Sequence, residues 1–375
     1  MLRWWSLLLV PLVLLTSGCW DRIEVEERAY VLGLAMDLPE NEGKRKISIA
    51  IPVVQESGAE GSGNGGGSVP LTILSSTAST VLDGLVPLQN KLNKELFFGH
   101  QKVLVFSEAC AAKPIIPWVD FFERVANIPR SIMVAVCQGE AAKALETSLP
   151  SEQLPPLYLH QLLKDIAQTG SAPYRTFNDL MVFAHEKRPG FMLPLIKVNK
   201  DNIEVIGSAV LKENSLAGTL TSRETRGALW LTGEVQGGVI DLPGVDGQNR
   251  LSFLIGDSRR LIRPRYTEKG ITFEVKLIVE GSVEEYFGKR NVINAETTAQ
   301  AEAELARQIR KEIAGTVAKL QKEFGTDALG LGEFVRKRNP KLYRQIGDWN
   351  HYFANQVEVK LTDLSVQIRR TGVLR

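Results

Sequence analysis

Three cysteines, four histidines and five methionines are few for a chain of 375 residues. Each shortage removes a class of protein. Cys19, Cys110 and Cys137 form no C-x-x-C pair and are too few for a disulfide framework. His100, His160, His185 and His351 are scattered, with no H-E-x-x-H, so no zinc-ligand spacing is present and no metal is expected. Charge of one sign is also missing. Lys and Arg number 45 against 43 Asp and Glu, a formal net charge of +2. That balance lacks the broad basic field of a nucleic-acid-binding surface. Long apolar runs are absent beyond one at the N-terminus, so a polytopic membrane protein is excluded.

Catalytic motifs are missing as well. Neither the G-x-S-x-G elbow nor the phosphate-cradling G-x-x-x-x-G-K-[ST] occurs. A literal G-x-G-x-x-G falls at Gly61, Gly63 and Gly66, inside the Gly-rich segment 56–68. A strand-like Ser68-Val69-Pro70-Leu71 follows it where a dinucleotide site needs a helix start. The segment reads as a surface loop, and neither a catalytic residue nor a cofactor is expected.

What is present begins with Trp4 to Leu15, an apolar run after a single cation, Arg3. A spanning helix needs about 20 apolar residues, so this run is too short to cross a bilayer. It suits the apolar core of a secretory signal. Small residues, Thr16-Ser17-Gly18, then lead directly into Cys19. That pattern is similar to a bacterial lipobox, in which the cysteine takes a diacylglycerol and becomes the new N-terminus. Residues 1–18 are therefore expected to be a lipoprotein signal peptide and Cys19 the lipidated residue. Trp20, Asp21 and Arg22 follow at once as candidate membrane or partner contacts, with a local Asp21–Arg22 ion pair as the plainer reading. Cys110 and Cys137 read as buried small hydrophobes, Cys137 at the end of the strand-like run Ile132–Val136. His100, beside Gly99, reads as a polar residue within a strand.

Residues 19–199 interleave strands and helices. Tyr30–Asp37 and Lys46–Val53 predict a hairpin. Helical spacing starts from Ser76, and Leu96–Phe106 reads as one strand. Helices are expected near Pro114–Ala126, Leu154–Gln168 and Thr176–Lys187. The polar cluster Asn199-Lys200-Asp201-Asn202 marks a boundary. Residues 200–375 begin with strands at Ile203–Leu211, Gly237–Leu242, Arg250–Ile255, Arg259–Tyr266 and Ile271–Glu280. A helix follows from Ala295 to Phe324, with Leu305, Ile309, Ile313, Val317 and Leu320 forming one apolar stripe and Glu312 among its polar residues. Gly325-Thr326-Asp327 provides its stop and the next N-cap. The expected class is α+β, made of successive mixed domains. The second is a largely antiparallel sheet covered by a long amphipathic helix.

Several stretches, in order, resemble the Ger(x)C family of spore-germination lipoproteins, the C subunits of nutrient germinant receptors. They are Gly18-Cys19-Trp20-Asp21-Arg22 with Gly33 and Asp37, Gly99-His100-Gln101-Lys102-Val103, Ile128-Pro129-Arg130-Ser131 and Ile206-Gly207-Ser208-Ala209-Val210. The tail adds Gly330-Leu331-Gly332, Pro340 and Trp349. Thr16, Leu211 and the Gly-rich loop depart from the family pattern. The resemblance implies a non-catalytic subunit, lipid-anchored on the outer face of the spore inner membrane. It implies assembly with two integral-membrane subunits, A and B, in response to amino acids, sugars or nucleosides. The competing reading is a lipid-anchored solute-binding protein, which needs a cleft between two domains of similar topology.

Overall fold

In the computed structural model, the structure describes residues 24–39, 43–53, 70–125, 127–147, 154–243, 250–287 and 295–370. The core of the first part is a run of strands too apolar to have a wet face. β1 (Arg28–Tyr30) leads into β2 (Gly33–Asp37), which is buried on both faces. β3 (Arg45–Pro52) and β4 (Leu71–Ala78) follow it antiparallel. β5 (Glu95–Phe97) pairs with β1, while β6 (Val103–Ser107) and β7 (Met133–Gln138) run parallel to β2. β8 (Gly190–Val198) continues the parallel set, and β9 (Ile203–Lys212) and β10 (Ser215–Thr221) close it antiparallel. The result is one eight-stranded sheet, in the order β10-β9-β8-β7-β6-β2-β3-β4.

Parallel strands need cover on both faces. The helices Val81–Gln89, Ile116–Arg124 and Phe177–His185 bring Leu85, Phe122 and Leu180 to one side. Lys143–Glu146 and Pro155–Ile166 bring Leu145, Leu159 and Leu163 to the other. Asn199–Asn202 is the turn between β8 and β9, closed by Asn199 N–H donating to the Asn202 carbonyl at 2.9 Å. The first sheet thus takes β9 and β10 from beyond residue 200.

The second sheet has the order β11-β12-β13-β14, from Val239–Pro243, Arg250–Thr267, Gly270–Phe287 and Val357–Arg370. The long helix, Ala295–Lys319 with a wide π-helical turn at Leu320–Phe324, lays Leu305, Ile309, Ile313 and Val317 onto it. Side chains of this helix also cap the sheet's open edge. Arg310 donates to the Leu361 carbonyl at 3.1 Å, and Glu302 accepts from Ile368 N–H at 2.9 Å. Such cover blunts an otherwise unpaired edge.

Several expectations are corrected. Leu96–Phe106 is two strands, broken by a turn at Gly99-His100 in which Gln101 N–H reaches the Phe98 carbonyl. His100 therefore lies in a turn, not a strand. The helix expected from Ser76 begins at Val81, because β4 runs to Ala78 and Thr80 supplies the cap. Arg250–Ile255 and Arg259–Tyr266 are one strand that passes Gly256 through a register shift. The last strand, β14, lies parallel to β13, while the other pairs of this sheet are antiparallel. The expected run of strands after residue 203 is interrupted by a helix, Ser222–Thr232. It packs against the long helix and buries Glu312, which is therefore not a solvent-facing charge.

Candidate functional site

The four parallel strands share a starting edge. Gly33, Val103 and Met133 are in register there, and the β7–β8 register brings the start of β8 to the same edge. The chain enters the body at this edge. A short turn, Val25–Glu27, exposes Val25 and the carboxylates of Glu24, Glu26 and Glu27. Tyr30 fixes it, its hydroxyl donating to the Val25 carbonyl at 3.2 Å. Tyr30, Phe97 and His100 pack with ring centroids 4.9 to 5.9 Å apart, and Arg28 lies 4.4 Å from the Phe97 centroid. Cys19, Trp20, Asp21 and Arg22 lie outside the described residues.

The other motif residues hold the frame. At Gly33 a Cβ would meet the Leu145 side chain at 2.7 Å, so glycine lets β2 start beneath that helix. Asp37, at the far end of β2, accepts from Ala141 N–H at 2.6 Å and Ala142 N–H at 3.1 Å, fixing the turn into Lys143–Glu146. Buried Gln101 donates to the Val103 carbonyl at 3.1 Å. Gly207 approaches β10 so closely that a Cβ would stand 2.0 Å from the Leu220 carbonyl oxygen. Ser208 accepts a hydrogen bond from Thr225 at 2.9 Å.

Cys110 and Cys137 are free and buried. Cys110 belongs to the core on one face of the sheet and Cys137 to the core on the other, so the sheet separates them. Burial pushes the thiols up to about 11 and about 12 respectively, far from a reactive thiolate.

The two parts of the chain meet around Asp327, which sequence reasoning had assigned only to an N-cap. Its carboxylate is fully buried and accepts from Leu329 N–H at 3.0 Å, Gly332 N–H at 2.6 Å and Trp349 Nε1 at 2.8 Å. Burial nevertheless pushes its carboxyl above the usual aspartate range. Thr326 and Asn350 both donate to the Pro189 carbonyl, at 2.9 and 3.0 Å, tying this loop to the entry of β8. Beside it lies a cleft of about 370 Å³, lined by Arg175, Phe191, Glu234, Arg260, Leu329 and Lys337 among others. Its charges are largely internal. Arg175 binds Glu234 through two hydrogen bonds, at 2.8 and 3.0 Å, and Arg260 caps the Ser222–Thr232 helix through the Thr232 carbonyl at 2.7 Å. These pairings join residues far apart in sequence and carry no local motif. The Ser222–Thr232 helix did have one, since Thr221 and Glu224 form a capping box ahead of Ala228-Leu229-Trp230-Leu231.

Among the described residues, no group of His, Cys, Asp and Glu could hold a metal ion, and no helix is long and apolar enough to cross a membrane. The fold and its assembled motifs define a class, the two-part α+β spore germination proteins. Residues 21–198 match the spore germination protein N-terminal domain, and residues 206–372 match the C-terminal domain described as spore germination B3/GerAC like. The chain belongs to the germinant receptor C-subunit family involved in spore germination. It is 26% identical to spore germination protein YndF of Bacillus subtilis (strain 168), over 92% of this chain and 91% of that protein. Spore germination protein B3 of the same organism is 23% identical, over 97% and 96% respectively. The crystal structure of the GerBC protein shares the fold, with a TM-score of 0.60 at 18% identity, covering 90% of this chain and 97% of that one.

Proposed function

We propose that this chain is the lipid-anchored, non-catalytic subunit of a nutrient germinant receptor, required for nutrient-triggered germination. The observation that carries the reading is where the family match begins. It starts at residue 21, two residues beyond Cys19, so the apolar run and Thr16-Ser17-Gly18 fall outside the matched domains. In this reading residues 1–18 are the leader, Cys19 carries the lipid, and 19–199 and 200–375 are the two family domains. Trp20, Asp21 and Arg22 then sit between lipid and body as contacts to the membrane or to a partner. The body stands on the extracytoplasmic face of the spore inner membrane and assembles with the A and B integral-membrane subunits. Arg3 is the only charged residue in the leader, so the processed chain keeps a nearly even charge balance. Net charge is therefore no anchor, and the lipid supplies retention.

The solute-binding alternative draws less support. The two sheets differ in strand number and topology, and the junction cleft spends its charges on each other. Replacing Cys19 by Ala tests the anchor, with the variant expected to leave the membrane fraction and germination to fail. Retention of that variant in membranes washed with high salt would refute it. Purification of the wild-type chain from spore inner membrane is expected to bring two polytopic subunits with it, and their absence would refute the assembly.

A further inference from the structure

The whole-chain charge balance conceals a local imbalance on two helices. Between Leu331 and Gly347 the chain carries Arg336, Lys337, Arg338, Lys341 and Arg344 against a single acid, Glu333. These residues form two consecutive short helices, Leu331–Arg338 and Pro340–Ile346. Glu333 pairs with Arg336 at 2.6 Å and with Lys337 at 3.2 Å, and Glu186 approaches Arg336 at 3.5 Å. The remaining cations make no ion pair among the described residues. Arg338 stacks 3.9 Å from the Phe334 centroid, Arg344 donates to the Pro340 carbonyl, and Lys341 projects into solvent. Phe334, Leu342, Tyr343 and Ile346 are half-buried beneath them, packed on the core. A rigid pair of helices that presents exposed cations above half-buried aromatic and aliphatic groups matches what an anionic bilayer surface recognises.

The position of this pair supplies the second argument. The first helix starts at the Asp327 loop, which packs against the entry of β8. A Cβ on Gly190 would stand 2.8 Å from the Asp327 carbonyl oxygen. Gly190 opens β8, and the register of β8 with β7 brings that start to the Met133 end of β7. Met133 lies on the starting edge of the parallel strands, where Gly33 and the chain entry also lie. The start of β2, into which the chain entry leads, and the start of β8, against which the Asp327 loop packs, are thus three strand neighbours apart, roughly 15 Å. From Cys19 to Glu24 the chain can span at most about 17 Å. A lipid at Cys19 therefore keeps this edge close to the headgroups.

We infer that the Leu331–Ile346 helix pair is a docking surface for anionic phospholipid headgroups that sets the orientation of the body on the bilayer. The inference rests on the lipid-anchor reading and adds to it. The lipid supplies retention, while Lys337, Arg338, Lys341 and Arg344 choose which face turns down. Glu24, Glu26 and Glu27 at the tether root are repelled by the same surface, which tips the body onto the basic helices.

The test uses the unlipidated mature chain from residue 19, with Cys19→Ser, so that acyl chains contribute nothing. Vesicles of equal parts phosphatidylglycerol and phosphatidylcholine are compared with vesicles of phosphatidylcholine alone. Binding to the anionic vesicles is expected, weakening as salt is added. Joint Lys337→Glu, Arg338→Glu, Lys341→Glu and Arg344→Glu should reduce it roughly tenfold or more. The milder pair Arg338→Gln and Lys341→Gln, at exposed positions, should weaken it partially with thermal unfolding unchanged. Arg259→Glu with Arg265→Glu, on the outer face of the second sheet, should leave it intact. No binding to anionic vesicles, equal binding to both vesicle types, or equal loss in the Arg259/Arg265 control would each overturn the inference. A Cys19→Ala chain that stays in the membrane fraction at a salt concentration that releases the unlipidated chain from anionic vesicles would instead count against the lipid anchor, leaving the vesicle result to be read by itself.

Discussion

Arg226 donates two hydrogen bonds to the carboxylate of Glu312, at 2.6 and 3.0 Å, and the Glu312 side chain is only 1% exposed. Trp230 Nε1 and Gln308 Nε2 add further donors at 3.4 and 3.2 Å. The pair clamps the Ser222–Thr232 helix against the long helix at their closest approach. There Gly227 leaves no room, since a Cβ would meet Thr316 Oγ1 at 2.3 Å and the Glu312 carbonyl oxygen at 2.6 Å.

Removing one partner of this clamp leaves a buried charge without its counter-ion. Arg226→Ala is expected to destabilise the protein by about 3 to 5 kcal/mol. A double change to Arg226→Met and Glu312→Leu should recover most of that loss, because neither charge then remains to be solvated. Chemical denaturation of the three variants measures this. Recovery in the double variant separates charge pairing from packing.

Gly227→Ala probes the same contact without touching charge. The obstructing atoms include the Glu312 backbone, which cannot swing aside as a side-chain tip could. Overpacking of this kind is expected to cost about 1 to 3 kcal/mol. The lowered midpoint should appear in thermal unfolding followed by far-ultraviolet circular dichroism.

Asp327 and Glu224 should move stability in opposite directions with pH. Burial raises the Asp327 carboxyl above its unfolded value of 3.8, so the folded state holds that proton more tightly than the unfolded chain does. Its contribution is complete below pH 3.8 and is lost as pH rises through the raised value. Glu224 is partly buried, which pushes it up, but hydrogen bonds from Thr221 and Lys319 outweigh this and hold it below 4.5. Its contribution is present above 4.5 and is lost as pH falls through the lowered value. Relative to wild type, Asp327→Asn should therefore fare better as pH increases, and Glu224→Gln should fare better as pH decreases. Urea midpoints across the acid-to-neutral range measure both slopes.

Much of the frame was readable because it is local. Short apolar runs rich in β-branched residues, such as Val103–Phe106 and Ile132–Val136, fit strands covered on both faces, and the stripe Leu305–Leu320 among charges of both signs fits a helix lying on a core. The amphipathic cover of the second sheet followed from that stripe. Apart from local boundaries such as the Gly99-His100 turn and the Thr80 cap, what failed depended on a neighbour distant in sequence. Glu312 looks like a surface charge until the Ser222–Thr232 helix is placed over it. That helix has a local signature in Thr221 and Glu224, in a stretch between Leu211 and Gly237 to which the sequence reading assigned no element. The parallel pairing of β14 with β13 could not be read from alternation, which gives the face of a strand and not its direction. The junction around Asp327 gathers Pro189, Gly332, Trp349 and Asn350, and no spacing rule links those positions.

The two body cysteines give a prediction that depends on topology alone. Under the proposed export, Cys110 and Cys137 meet oxidising conditions and have the opportunity to pair. The sheet denies them the geometry, because each thiol is embedded in the core of a different face. Their pKa values near 11 and 12 leave almost no thiolate at neutral pH to begin an exchange. Two free thiols are therefore expected in the non-reduced protein once it is denatured and alkylated, read by intact mass on the Cys19→Ser chain. In the folded protein the same reagent should modify neither until unfolding exposes them, so the labelling rate should track denaturant concentration. A non-reduced mass two hydrogens lighter than the reduced one, with no alkylation after denaturation, would show that the strands can part far enough to join them.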